Sequence, residues 1–233
     1  MVNAGRPHFQ GVKPWSVLGR ARTPDGVELT LTCHASEYII TANGQSLMSS
    51  RVHGSEDALA VLGCARARTL ARPRVLVGGL GMGFTLRAAL DVLPPAALVV
   101  VAELVPAVVE WNHGPLGALA KRPLCDPRVR IEARNVALTL RSNPVYFDAV
   151  LLDVDNGPAA LTDSSNAGLY DREGVAVVRA SLRSGGMLAV WSARDDRRFE
   201  RTIRAGGFSV QRERVSGRPK KGGAHTVLIA HTG

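Results

Sequence analysis

The chain has 233 residues, 45% of them hydrophobic, and a mean hydropathy of +0.04, the composition of a globular protein with one sizeable core and not of a disordered segment. A net charge of +9 and a pI near 10.3 leave a nucleic-acid partner open, but the arginines are scattered over many segments and the densest basic run, "GRPKK" at 217–221, falls in an expected turn, which argues against one. Cys33, Cys64 and Cys125 lie far apart, Met1 to Gln10 lacks an apolar signal region, and the longest apolar run, "ALVVVAELVPAVV", is broken by Glu103 and Pro106, so a cytoplasmic protein with reduced thiols and no membrane span is expected.

Residues 1–26 are rich in Gly, Pro and Arg and read as an irregular arm. "VELTLTCHASEYIITANGQSLMSSRVHG" follows, with β-branched runs interrupted by "HAS" and by Asn43-Gly44, a hairpin signal. A small antiparallel sheet is expected over 27–52, within a unit ending near residue 60. "SEDALAVLGCARA" then has helical spacing, with Ser55 as the expected N-cap.

From residue 74 the pattern alternates. "RVLVGG", "ALVVVAE", "RVRIEA", "FDAVLLDVD" and "GMLAVWSA" read as buried strands, with helices expected from near Gly83, Pro106, Asn135, Asp171 and Asp195. Alternation of this kind implies a parallel sheet with right-handed crossovers. The last two strand-like runs, "GFSVQRERV" and "AHTVLIAH", are joined only by "SGRPKKGG", too short for a crossover helix, so they must be antiparallel. The expected fold is α/β: a Rossmann-like, seven-stranded methyltransferase-type sheet over 61–233, five parallel strands plus a C-terminal antiparallel hairpin, preceded by the small sheet over 27–60.

The turn after the first strand of that unit, "GGLGMG", holds Gly78, Gly79, Gly81 and Gly83, and bare backbone there admits a ligand closely. The second strand ends in Glu103, whose carboxylate can accept from two ribose hydroxyls. The fourth ends in "LLDVDNGP", which puts Asp153 and Asp155 on the same carboxyl edge, where open α/β sheets bind ligands. A solvated strand end for Glu103, and turn capping for the aspartates, are the competing structural explanations.

Taken together, "HGSEDALA", "VGGLGMG", "VAELVPAVVE", "DPRVRIEARN", "FDAVLLDVDNGP", "LY" and "SGGMLAVWSA" give the chain from about Val27 onward a pattern that resembles the spermidine synthases, the polyamine aminopropyltransferases. The resemblance implies that the glycine loop faces the methionine-like part of an S-adenosyl ligand. It also implies that Glu103 binds the ribose, that Asn135 stands where an acidic residue usually faces the adenine amino group, that Asp153 stands at the catalytic aspartate and that Asp155 is near a second substrate-binding acid. Three departures fall on the amine-recognition half. Gly81 stands where the family has an aspartate that holds the ligand's amine, the fourth-strand motif is shortened, and His53-Gly54-Ser55 replaces a tyrosine-containing stretch.

The implied activity is transfer of an aminopropyl or other group from a sulfonium donor, S-adenosylmethionine or its decarboxylated form, to a small amine, with a carboxylate taking the amine's proton. Asp163 and Asp171 read as loop and capping residues that could add to the acceptor site. The alternatives are methyl transfer from S-adenosylmethionine to a small acceptor, or a non-catalytic nucleoside- or RNA-binding module. No metal is expected, since no histidines pair at i,i+4 and "DVDN" lacks a third ligand. A homodimer stays open.

Overall fold

The apolar runs of the sequence become strands whose residues alternate between two cores. In β5 (Arg74–Gly78), Val75 and Val77 face one layer and Leu76 the other, and the same period-two split recurs in β6 (Leu98–Ala102) and β8 (Phe147–Leu152). Burial on both faces is why these runs read as continuous and not alternating. The computed structural model describes residues 14–154, 168–193, 195–217 and 224–232.

These strands belong to a seven-stranded sheet ordered β10-β11-β9-β8-β5-β6-β7, completed by β7 (Val129–Glu132), β9 (Leu182–Ser192), β10 (Phe208–Ser216) and β11 (Ala224–Thr232). β5 pairs in parallel with β6 and β8, β6 with β7, and β8 with β9. β11 runs antiparallel to both β10 and β9. The expected five parallel strands and antiparallel hairpin are therefore present.

Helices α1 (Gly54–Gly63), α2 (Phe84–Val92) and α3 (Pro106–His113) bury Leu59, Leu86 and Trp111 in the core on one face. On the other face α4 (Val136–Arg141), α5 (Arg172–Ser181) and α6 (Arg197–Ala205) bury Leu140, Val178 and Ile203. Pro106 opens α3 as expected, and Asn135, Asp171 and Asp196 cap α4, α5 and α6 through their side chains.

The small sheet has the order β1-β2-β3-β4: β1 (Ser16–Arg22), β2 (Glu28–His34), β3 (Glu37–Ala42) and β4 (Gln45–Ser49), all antiparallel. Ala42 pairs with Gln45 across Asn43 and Gly44, both at positive φ (47° and 78°), the two-residue hairpin that Asn-Gly signals. Its buried Leu29, Leu31 and Ile40 join the core around α1 to α3.

Two expectations are corrected. Residues 16–22 are a strand, not part of an irregular arm, because β1 pairs with β2 from Ser16↔Cys33 to Arg22↔Glu28. Ser55 does not cap α1: the cap position is His53, and the Ser55 hydroxyl instead donates to the Glu56 carboxylate at 2.6 Å. The expected division at residue 60 falls inside α1, which packs on α2 and on β8, β9 and β11 of the large sheet.

Candidate active site

β5 lies between β6 and β8, so the chain leaves the sheet in opposite directions around it, and a crevice opens at the strands' carboxyl ends. Gly78 pairs with Ala102 on one side and Leu152 on the other. The next residue of each strand therefore converges on one place: Gly79, Glu103 and Asp153. The Gly79 amide donates to the Ala102 carbonyl and the Asp153 amide to the Gly78 carbonyl, each at 2.9 Å.

Gly79 sits at φ +87°, and a Cβ there would lie 2.3 Å from the Asp153 carbonyl oxygen. Only glycine allows the loop to pass the end of β8 this closely. Gly81, at φ +51°, faces the small sheet, where a Cβ would come 3.1 Å from the Met48 sulfur. Gly78 and Gly83 have other duties. A Cβ at Gly78 would meet Val136, and Gly83 precedes α2 in a left-handed conformation beside Asn112 and Pro123.

Two cavities meet over this edge. The first, about 680 Å³ including its open mouth, is bounded by Gly79, Gly81, Glu103, Asn135, Val136 and Asp153 on the large sheet's side and by Leu29, Ile40, Leu47 and Met48 on the small sheet's. The second, about 1010 Å³ on the same measure, is lined by Ser55, Glu56, Phe84, Thr85, Asp153, Trp191 and His225, among others. Met48, Gly81 and Asp153 border both. No Lys or Arg among the described residues lines either cavity, whereas three carboxylates do: Glu56, Glu103 and Asp153.

Glu103 is 7% exposed. Its two oxygens each accept one backbone N–H, from Leu80 at 2.9 Å and Val105 at 2.8 Å. Burial pushes its carboxyl above the usual range, against the pull of those amides. The amides of Leu80, Gly81, Leu104 and Val105 all act on the group, which ties it to the glycine loop and to the start of α3.

Asp153 accepts from the Thr85 hydroxyl at 2.5 Å. Burial, and secondarily the charge of Glu56, push its carboxyl up to about 7, with Thr85 opposing. Burial also raises Glu56, against Ser55, its own backbone amide, and the charges of His53 and His225. His53 stacks on Phe84 with ring centroids 4.1 Å apart and contacts Asp57 at 2.9 Å through Nδ1. Trp191 and His225 pack at 4.9 Å between centroids.

Glu103, Asn135, Asp153, Gly79 and Gly81 all line the first cavity, Asn135 also accepting from the Ala137 amide at the start of α4. Asp155, Asp163 and "RPKK" at 218–221 lie outside the described residues. Asp171 caps α5 and borders neither cavity. The sequence pattern does not single out Met48, Glu56, Thr85, Trp191 or His225. Of these, Glu56 and Thr85 alone carry a signal, as the polar residues at the starts of two helices flanking the glycine loop. Among the described residues, no three His, Cys, Asp or Glu side chains gather as a metal set, and no helix is long and apolar enough to cross a membrane.

No model of a protein family matches the chain, and no curated protein does. Solved structures do. A spermidine synthase in complex with the transition-state analogue AdoDATO matches with a TM-score of 0.73 at 18% identity, covering 93% of this chain and 72% of that one. Spermidine synthase from Thermotoga maritima gives 0.71 at 18% identity, covering 93% and 73%. A probable spermidine synthase from Corynebacterium glutamicum gives 0.59 at 18% identity, covering 91% and 79%. The chain has the spermidine synthase fold, small sheet included.

Proposed function

We propose that the chain is a spermidine synthase-like transferase, moving an aminopropyl or similar group from an S-adenosyl sulfonium donor to a small amine. The observation that carries this reading is the charge of the crevice. Three carboxylates and, among the described residues, no Lys or Arg line the two adjoining cavities, in a chain of net charge +9. A locally acidic pocket in a basic protein recruits a cation that the rest of the surface repels.

The first cavity suits the donor. Bare backbone at Gly79 and Gly81 leaves room that a side chain would fill, Glu103 offers acceptors for ribose hydroxyls, and Asn135 lines the same cavity, available to an adenine amino group. When bound, the donor supplies a carbon made electrophilic by its positive sulfur. Asp153, at the junction with the second cavity, takes the proton from the acceptor's nitrogen, and a carboxyl raised to about 7 is matched to that task near neutral pH. Phe84 and Trp191 wall the second cavity and hold the acceptor's apolar stem.

A second reading, methyl transfer from intact S-adenosylmethionine, draws support from Gly81. The family's aspartate is missing there, and the Met48 thioether fills the space beside it. Calorimetry with decarboxylated S-adenosylmethionine, S-adenosylmethionine and methylthioadenosine tests the choice. Tighter binding of the decarboxylated form is expected, because the amino-acid carboxylate finds no cation in either cavity among the described residues. A preference for intact S-adenosylmethionine favours methyl transfer, and binding of none of the three removes both readings.

A further inference from the structure

Arginines that lie scattered along the sequence meet at the amino edge of the large sheet, opposite the crevice. Arg74 opens β5 and Arg183 stands at the start of β9. Arg66 and Arg68 belong to the turn after α1, Arg72 to the link into β5, and Arg179 to the last turn of α5. Contacts tie them into one surface. Arg66 donates to the Gly185 carbonyl, Arg183 reaches the Asp148 carboxylate at 3.2 Å, and Asp148 also accepts from the Arg74 amide at 2.8 Å. The Arg74 guanidinium lies 4.3 Å from the centre of the Tyr146 ring. The amides of Val145 and Tyr146 donate to the carbonyls of Ala180 and Ser181, beside Arg179, each at 2.8 Å. We propose that this edge binds single-stranded nucleic acid, with arginines on its phosphates and an unpaired base stacked at Arg74 and Tyr146. The crevice and the transfer reaction take no part in it.

The charge at this edge is almost unopposed. Segments 58–90, 133–147 and 174–194, which supply it, contain no Asp or Glu. Asp148 is the one carboxylate these contacts reach, and its side chain, 10% exposed, is already engaged by Arg183 and by the Arg74 amide. Among the described residues no carboxylate pairs with Arg66, Arg68, Arg72, Arg74 or Arg179. Arg66, Arg68, Arg72 and Arg179 are exposed. Cations gathered on one face without acids draw a polyanion there, and release of its counterions supplies affinity.

The kind of polyanion follows from the groups present. The three segments hold no Lys, so every cation at the edge is a guanidinium, whose planar fork meets phosphate oxygens in pairs. A carboxylate fits that fork as well, and the second feature separates the two. The stack of Arg74 on Tyr146 is flat and stands next to Val145, an apolar side chain left 66% exposed. Flat cationic and aromatic groups of this kind are platforms for unpaired bases. Acidic side chains gain nothing from such a platform.

The test is fluorescence anisotropy of the full chain with labelled oligouridine and oligothymidine of about 15 nucleotides, a length that spans one single-strand site, over a range of salt. Binding is expected, and the tighter of the two strands tells RNA from DNA. Log affinity should fall against log salt with a slope of about −2 or steeper, since each phosphate contact on a single strand contributes about 0.7. Arg68→Gln combined with Arg72→Gln should flatten that slope by about 1.4. Arg201→Gln combined with Arg214→Gln removes the same charge from exposed sites on α6 and β10 and should leave the slope unchanged. Arg74→Lys keeps the charge and loses the plane, and should weaken binding about fivefold or more at an unchanged slope. Binding of neither strand, or an equal loss in the two double variants, overturns the proposal. So does tight binding of polyglutamate or of phosphatidylserine vesicles through the same arginines with strands bound no better, which would make the edge a surface for an acidic protein or a membrane. If the first double variant fails to fold, Arg74→Lys decides: unchanged affinity overturns the proposal. No sulfonium donor enters these measurements, so their outcome is separate from that of the transfer reaction.

Discussion

Asp153 pays in stability for what it offers in basicity. Its carboxyl is raised from 3.8 to about 7 in the fold, so the folded chain holds this proton more tightly than the unfolded one. Stability from this group is therefore full below pH 4 and is lost as pH rises towards 7, after which the loss is complete. Asp153→Asn should be more stable than the unaltered chain at pH 8, by more than about 1 kcal/mol given that a tenfold change in proton affinity is worth about 1.4 kcal/mol, and no more stable at pH 4; denaturant titration at the two values checks both. The same change should lower single-turnover transfer by roughly 10²–10⁴-fold, the worth of a general base, with nucleoside affinity little altered because Glu103 and the glycine loop remain. Activity of the unaltered chain should rise with pH through about 7, as Asp153 ionises. Glu103→Ala should act on the other half, weakening nucleoside binding by about 1.5–3 kcal/mol in calorimetry. Glu103 and Asp153 were legible in the sequence because each directly follows an apolar strand, and strand ends in parallel sheets share one edge. Trp191 and His225 were not, since β9 and β11 are distant in the chain from the glycine loop and come beside it only through the sheet order.

The elements around the site show where local sequence stops being informative. β1 has the sequence SVLGRAR, with mostly exposed residues and a glycine in its middle, and reads as coil when taken alone. Its strand conformation comes from pairing with β2 and from Gly19, where a Cβ would stand 2.4 Å from the Trp111 indole nitrogen on α3. That contact fastens β1 to α3. Gly19→Val should push β1 off α3 and cost about 1–3 kcal/mol, as overpacking does, read as a fall in Tm. Gly79→Val is a different case. Its side chain would strike the carbonyl of Asp153 at φ +87°, so both folding and the junction of the cavities suffer. Loss of donor binding in the fraction that still folds is expected, and normal binding there would reduce Gly79 to a packing role. The C-terminal hairpin, by contrast, followed from link length alone, because eight residues leave no room for a crossover helix.

At the scale of the whole molecule, the fold of the spermidine synthases is carried at 18% identity by a pattern that the sequence displays openly: strands apolar on both faces, a glycine loop after the first, and acids at the ends of the second and fourth. The second cavity is less openly displayed, because Met48, Glu56, Phe84, Trp191 and His225, which line it, come from elements far apart in the chain. The chain is basic overall, and carboxylates line its crevice. The most direct measurement is chromatographic identification of the nucleoside thioether formed when the protein is incubated with each sulfonium donor and a set of small amines. Methylthioadenosine appearing from the decarboxylated donor, only when an amine is present and not with Asp153→Asn, is the predicted result. Formation of S-adenosylhomocysteine from the intact donor instead, or of no thioether from either, would contradict the account.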